Sequence, residues 1–229
     1  MKKFRKVIKI FALVSCVLII ALTIFGFLII EPNIKINGFK SLDKEKLNAY
    51  SQAITINDKN GNAIIGSIYD KNRIYTPLSK LNKQTINAFI AVEDKRFYSH
   101  KGIDYLRILS AMKNNILSGE FREGASTISQ QLIKNTHLTN EKTINRKLQE
   151  IRIARDLERN YSKEKILEMY LNSLYFGNGV YGIGSASRAY FGINASELSL
   201  SQSAIMAGII NSPARYDLYR MSLLILTVC

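Results

Sequence analysis

Three short segments concentrate side chains able to do chemistry. In the first, Ala91 to Gly102, the adjacent acids Glu93 and Asp94 close an apolar stretch and are followed by Lys95, Arg96, Phe97, His100 and Gly102. Glu93 shares a helical face with Ile86, Phe89 and Ile90, which predicts partial desolvation; burial disfavours the charged form of a carboxylate and makes it a better base. The alternative is a helix-end acid paired with Lys95 or Arg96. His100 fits either an orienting or proton-shuttling role or a structural one.

The second segment, Glu123 to Asn135, crowds Ser126, Thr127, Ser129, Gln130 and Gln131 before Lys134. On a helix starting near Gly124, residues Thr127, Gln130, Gln131 and Lys134 fall together, a face suited to sugar hydroxyls and a phosphate, with the helix N-terminus adding donors for an anion. A polar surface helix with a capping serine is the plainer reading. The third segment sets Glu150 among Arg146, Lys147, Arg152, Arg155 and Arg159. One acid embedded in a basic face suits a pyrophosphate, or a divalent cation bridging to one. A solvated helix laced with ion pairs fits the same pattern.

These segments need elements to position them. Ile54–Ile56 and Ala63–Tyr69 flank the turn signal Asp58-Lys59-Asn60-Gly61 and predict a hairpin. After Pro77 the pattern is helical. Asp104 is a predicted N-cap for a helix ending near Ser118-Gly119. Ile144, Leu148, Ile151 and Leu157 form a stripe on a charged helix over 141–159. Ser162 caps a helix through Asn172, with Ile166, Leu167 and Tyr170 inward, and an apolar helix covers about 198–210. The expected class is mainly α with a small β element.

The compartment is read from the first thirty residues. Ile10 to Ile30 is a run of 21 uncharged residues, and a helix of that length spans roughly 30 Å, the hydrocarbon thickness of a bilayer. It is too long for a cleavable signal. Leu13-Val14-Ser15-Cys16 resembles a lipid-attachment box, but leaves only six apolar residues before the cysteine. Lys2, Lys3, Arg5, Lys6 and Lys9 precede the run and keep the N-terminus cytoplasmic. The expected division is a basic tail 1–9, a transmembrane helix 10–30, a connector with the hairpin 31–75, a catalytic domain 76–220 and an apolar tail 221–229. Setting the five N-terminal bases aside leaves 27 basic against 18 acidic residues, about +9, and predicts an anionic partner such as phosphate or a membrane surface. An exported domain makes nucleic acid an unsuitable partner. The two cysteines, Cys16 and Cys229, give neither a disulfide framework nor metal-ligand spacing.

Taken together the motifs resemble the peptidoglycan glycosyltransferases, glycosyltransferase family 51, which occur alone or at the N-terminal end of bifunctional penicillin-binding proteins. The first family motif, E-D-x-x-F-x-x-H-x-G, matches Glu93, Asp94, Phe97, His100 and Gly102. The second, G-x-S-T-x-x-Q-Q-x-x-K-N, matches Gly124, Ser126, Thr127, Gln130, Gln131, Lys134 and Asn135. The third, R-K-x-x-E, matches Arg146, Lys147 and Glu150, and is followed by Lys163 through Asn172. Further matches run from Tyr175 to Ile183 and from Leu198 to Tyr216. The resemblance implies a lysozyme-like α fold with a groove and a sub-region dipping toward the bilayer. It also implies polymerisation of lipid II into β-1,4-linked glycan with release of undecaprenyl pyrophosphate. The catalytic carboxylates map to Glu93, as general base, and Glu150. Asp94, Lys134, Arg146 and Lys147 map to supporting positions; Ser126, Gln130, Gln131 and Asn172 map to substrate contacts. A divalent cation, Mg or Mn, held near Glu150 is the one cofactor suggested, with no organic cofactor. The implied partners are lipid II, the growing strand, the membrane and other wall-synthesis proteins. A glycan hydrolase and an inactive anchored scaffold are the competing classes. After Arg220 the sequence departs from the family pattern, as either a genuine short terminus or a truncated bifunctional chain, and penicillin binding is not expected of it.

Overall fold

The computed structural model describes residues 41–48, 54–57, 63–68, 74–118, 124–138, 141 and 143–211. All belong to one compact unit that begins at Lys40. The expected transmembrane helix, the basic tail before it and the apolar tail 221–229 lie outside the described residues. Among the described residues no helix is long and apolar enough to cross a membrane.

The elements follow in the order α1 (Lys44–Asn48), β1 (Ile54–Asn57), β2 (Ala63–Ile68), α2 (Lys83–Glu93), α3 (Tyr105–Ser118), α4 (Ile128–His137), α5 (Ile144–Asn160), α6 (Lys163–Ser173), β3 (Tyr175–Gly177), β4 (Val180–Tyr181), α7 (Ile183–Phe191) and α8 (Leu200–Asn211). The domain is mainly helical, as expected. β1 and β2 form the expected antiparallel hairpin, pairing Ile54 with Ile68 and Asn57 with Ala63; β3 and β4 form a second small antiparallel pair.

Helix starts follow side-chain chemistry. The Asp104 carboxylate accepts from the Arg107 backbone N–H at 2.8 Å and so caps α3. Ser162 accepts from Lys165 N–H at 3.2 Å and caps α6, both as read from the sequence. The core lies where α4 packs on α5 and α6, and α2 on α8. It is built from Phe89, Leu132, Ile133, Ile153, Leu157, Ile166, Leu167, Tyr170 and Phe176, with Phe89 and Phe176 edge-to-face at 6.3 Å. As expected, Phe89 and Glu93 of α2 are buried, and so are Ile166, Leu167 and Tyr170 of α6.

The stripe expected on α5 needs correcting. Ile144 is 82% exposed, and the buried face is Glu150, Ile153, Ala154 and Leu157. Those positions also have helical spacing. A charged residue at the head of the face disguised it, because Glu150 is buried by pairing with its own cations.

A strap over residues 74–78 is tied to α6 and α7. The Asn172 amide accepts from Thr76 N–H at 2.8 Å and donates to Thr76 C=O at 2.9 Å. Glu168 accepts from Leu78 N–H at 2.8 Å, and Ser185 Oγ from Ile74 N–H at 2.6 Å. A Cβ on Gly184 would stand 2.4 Å from the Ile74 carbonyl oxygen and the Thr76 hydroxyl, so only glycine lets the strap lie this close.

Candidate active site

The first motif ends α2 and turns inward. Glu93 is its last residue, only 6% exposed, and Asp94 is fully buried. Asp94 Oδ2 accepts from the Ile128 backbone N–H at 3.0 Å and pairs with His100 Nε2 at 2.9 Å. Asp94 therefore holds the positive end of α4 and fixes His100. Through Oδ2 it braces α2 against α4, while its Oδ1 is buried without a hydrogen-bond partner. Gly102 follows at φ +87°, where an added Cβ would meet the Ala154 carbonyl oxygen at 3.0 Å.

Glu93 has asymmetric surroundings. Its Oε2 accepts from Gln131 Nε2 at 2.7 Å, while Oε1 is buried and has no hydrogen-bond partner. Neither Lys95 nor Arg96 neutralises it; Arg96 instead grips Asp104, with contacts of 2.9 and 2.6 Å. Asp104 is held below the usual carboxylate range: burial alone would raise it, but the Arg107 N–H and the Arg96 guanidinium outweigh that.

The second motif does not begin its helix where the spacing suggested. α4 starts at Ile128, with Thr127 as N-cap in a capping box closed by Gln130. Thr127 Oγ accepts from Gln130 N–H at 3.2 Å, and Gln130 Oε1 accepts from Thr127 N–H at 3.0 Å. Both side chains are buried, and the Thr127 hydroxyl and the Gln130 amide oxygen fix the helix start. Gln131 is half-buried and turned to Glu93, whereas Lys134, one turn on, is exposed. Ser126 lies just outside the helix, half-buried. Asn172 is buried, with its amide bonded to Thr76 and, at 2.8 Å, to the Glu168 carbonyl.

The third motif forms a clamp. Glu150 is 2% exposed. Its Oε2 accepts from Arg146 Nη1 at 2.7 Å, and its Oε1 from Lys147 Nζ. Lys147 also donates to Ser126 Oγ at 3.0 Å. Arg107 links this clamp toward Glu93: Nη1 donates to the Glu93 carbonyl and, at 3.5 Å, to the Ser126 carbonyl. A continuous path thus runs from Glu93 through Arg107, Ser126 and Lys147 to Glu150. Beside it opens a cavity of about 630 Å³ lined by Lys95, Arg96, Arg107, Ser110, Asn114 and Val92 among others. One buried carboxylate with a free oxygen, on a residue whose main-chain carbonyl is tied through Arg107 to a cationic clamp, can deprotonate a hydroxyl near an anionic leaving group.

Residues 60–225 match the sequence model of the transglycosylase family. The chain belongs to that family. It is 46% identical over 201 residues to penicillin-binding protein 1F of Bacillus subtilis (strain 168), covering 88% of this chain and 28% of that protein. It is 44% identical over 186 residues to penicillin-binding protein 1A/1B of the same organism, covering 80% of this chain and 20% of that one. Over 166 residues it is 42% identical to penicillin-binding protein 1A of Aquifex aeolicus (strain VF5), covering 72% and 23%. The chain therefore spans less than a third of the length of these relatives.

Two residues that contact these motifs are not marked by the sequence pattern. Arg107 sits between ordinary helix residues and makes its contacts through the backbone carbonyls of Glu93 and Ser126, which no residue pattern records. Tyr170 was legible only as an inward-facing core residue, yet its hydroxyl donates to Gln131 Oε1 at 3.1 Å. The capping box was open to detection, because a threonine followed three residues later by glutamine is its signature.

Proposed function

We propose that this transglycosylase-family chain is a membrane-anchored peptidoglycan glycosyltransferase that polymerises lipid II on the outer side of the cytoplasmic membrane. The observation that carries the reading is the free, water-shielded Oε1 of Glu93, on a residue whose main-chain carbonyl is tied through Arg107 and Ser126 to the clamp at Glu150. The acceptor sugar's 4-hydroxyl gives its proton to Glu93 as its oxygen bonds to the anomeric carbon of the donor. The bond from that carbon to pyrophosphate breaks, and the electron pair leaves with the lipid pyrophosphate. Attack from the opposite face converts the α-linked donor into a β-1,4 product.

A sugar pyrophosphate is already a good leaving group and needs nearby positive charge more than a general acid. Arg146 and Lys147, oriented by Glu150, supply that charge together with the exposed amine of Lys134. Guanidinium and ammonium groups retain further donors after pairing once with a carboxylate. A divalent cation at Glu150 does not fit this donor set. Both carboxylate oxygens already accept from cations, and Arg146 and Lys147 would repel a third positive centre. No step is routed through a metal.

The same clamp separates this reading from glycan hydrolysis. A hydrolase acting on an unactivated glycosidic bond needs a second carboxylate available to water or to the sugar, and Glu150 is occupied on both oxygens. The 21 uncharged residues from Ile10 to Ile30 and the bases before them support an anchor with the domain outside, where substrate and enzyme meet in two dimensions at raised effective concentration. The test is product analysis with purified lipid II and, separately, finished glycan. Longer strands and free lipid pyrophosphate are expected; shortened glycan with no polymer from lipid II would overturn the proposal.

A further inference from the structure

Resting on the reading of Glu93 as the base, we infer that Gln131 and Tyr170 are positioning residues that hold Glu93 in one orientation, with a single carboxylate oxygen left to take a proton. The contacts form a directional relay. Tyr170 OH donates to Gln131 Oε1 at 3.1 Å, and Gln131 Nε2 donates to Glu93 Oε2 at 2.7 Å. Glu93 Oε1 is left without a partner.

The direction is forced from both ends. Tyr170 is fully buried, and burial, reinforced by the charges of Glu93 and Asp94, pushes its hydroxyl well above the ordinary tyrosine value. It therefore keeps its proton and donates it. At the other end, Glu93 as a base must be ionised and can only accept. An amide turned the other way would set its carbonyl oxygen against a carboxylate oxygen at 2.7 Å. Only the observed amide orientation serves both neighbours.

The elements explain why the relay is stiff. Tyr170 comes from α6, locked in the core beside Ile166, Leu167 and Leu171. Gln131 is on the first turns of α4, whose start is fixed by the Thr127 capping box and by Asp94. Glu93 ends α2. Three helices thus meet through one amide, and a fully buried hydroxyl sets the geometry of the Glu93 carboxylate. The amide oxygen of Gln131 accepts from Tyr170 and its nitrogen donates to Glu93, a role beside the substrate contact expected of it.

The test is a double-mutant cycle on the full chain, following lipid II polymerisation with Tyr170→Phe, Gln131→Met, the double variant and Glu93→Gln, with rates expressed per folded molecule from thermal unfolding. Tyr170→Phe removes one oxygen and is expected to lower kcat about tenfold with KM near the wild-type value. Gln131→Met lowers kcat further, and the double variant is no slower than Gln131→Met alone, because the hydroxyl acts only through the amide. The inference is overturned if Tyr170→Phe leaves kcat unchanged, if it slows wild type and Gln131→Met by the same factor, or if the effect lies in KM. Glu93→Gln separates the two levels. Near-normal polymerisation by that variant sinks the assignment of the base itself, whereas an inactive Glu93→Gln beside a normal Tyr170→Phe removes only the relay.

Discussion

Glu93 and Glu150 are the same residue type at nearly the same depth, yet their surroundings oppose one another. Glu150 has both oxygens taken by charged donors, Arg146 and Lys147. Glu93 has one oxygen held by a neutral amide and one left bare. A neutral partner on one side leaves the other carboxylate oxygen open to a hydroxyl, whereas the two-cation clamp occupies both oxygens and orders the cations. The role of each acid follows from its partners, and two carboxylates in one site need not share the chemistry.

That contrast can be broken at either end. The largest effect is expected at the bare end. Glu93→Gln should lower polymerisation by about a thousandfold or more, within the range of general-base loss compounded with misplacement, while the thermal midpoint stays near that of the wild type. Glu150→Gln comes next. It leaves two cations facing a neutral amide, so the rate should fall by about tenfold to a hundredfold. Its stability should fall by about 2 kcal/mol, below the usual cost of breaking a buried pair because the Lys147 side chain is 38% exposed. Denaturant unfolding and steady-state kinetics on one preparation would check both.

Arg107→Met tests the connection between the two ends. It removes the donor shared by the Glu93 and Ser126 carbonyls, and the rate should drop by about fivefold to tenfold with a smaller change in stability, consistent with losing one charged hydrogen-bond donor. The smallest effect is expected at Asp104. Its folded value is lowered, so its contribution to stability is complete above the unfolded value of about 3.9 and is lost as pH falls through the folded value. Asp104→Asn keeps a capping side chain but loses the charge that pairs with Arg96. It should cost about 0.5–1 kcal/mol at neutral pH, discounted because Arg96 is partly exposed. Thermal scans of the two proteins should converge in strong acid.

How far the sequence could be read depended on whether a feature is local. The caps at Asp104 and Ser162, the buried faces of α2 and α6, and the hairpin all follow from side chains acting on their own or neighbouring turns, and each was legible. The face of α5 was misread because apolar periodicity cannot anticipate a buried glutamate; Glu150 enters the core only because Arg146 and Lys147 travel with it on the same helix. The family resemblance maps Gln130 and Asn172 to substrate contacts, and the structure adds a positioning use for each amide. The Gln130 amide oxygen closes a capping box and the Asn172 amide holds Thr76, a contact that joins residues 96 positions apart. Arg107 lay beyond sequence reasoning altogether, since a contact to a backbone carbonyl leaves no trace in residue identity.

The division of labour between the two carboxylates is tested most directly by measuring lipid II binding and polymerisation side by side for Glu93→Gln and Glu150→Gln. Glu93→Gln is expected to bind substrate about as well as the wild type and make no detectable polymer, while Glu150→Gln binds more weakly and still extends strands slowly. Polymer from Glu93→Gln at near wild-type rate, or a dead Glu150→Gln beside an active Glu93→Gln, would contradict the account.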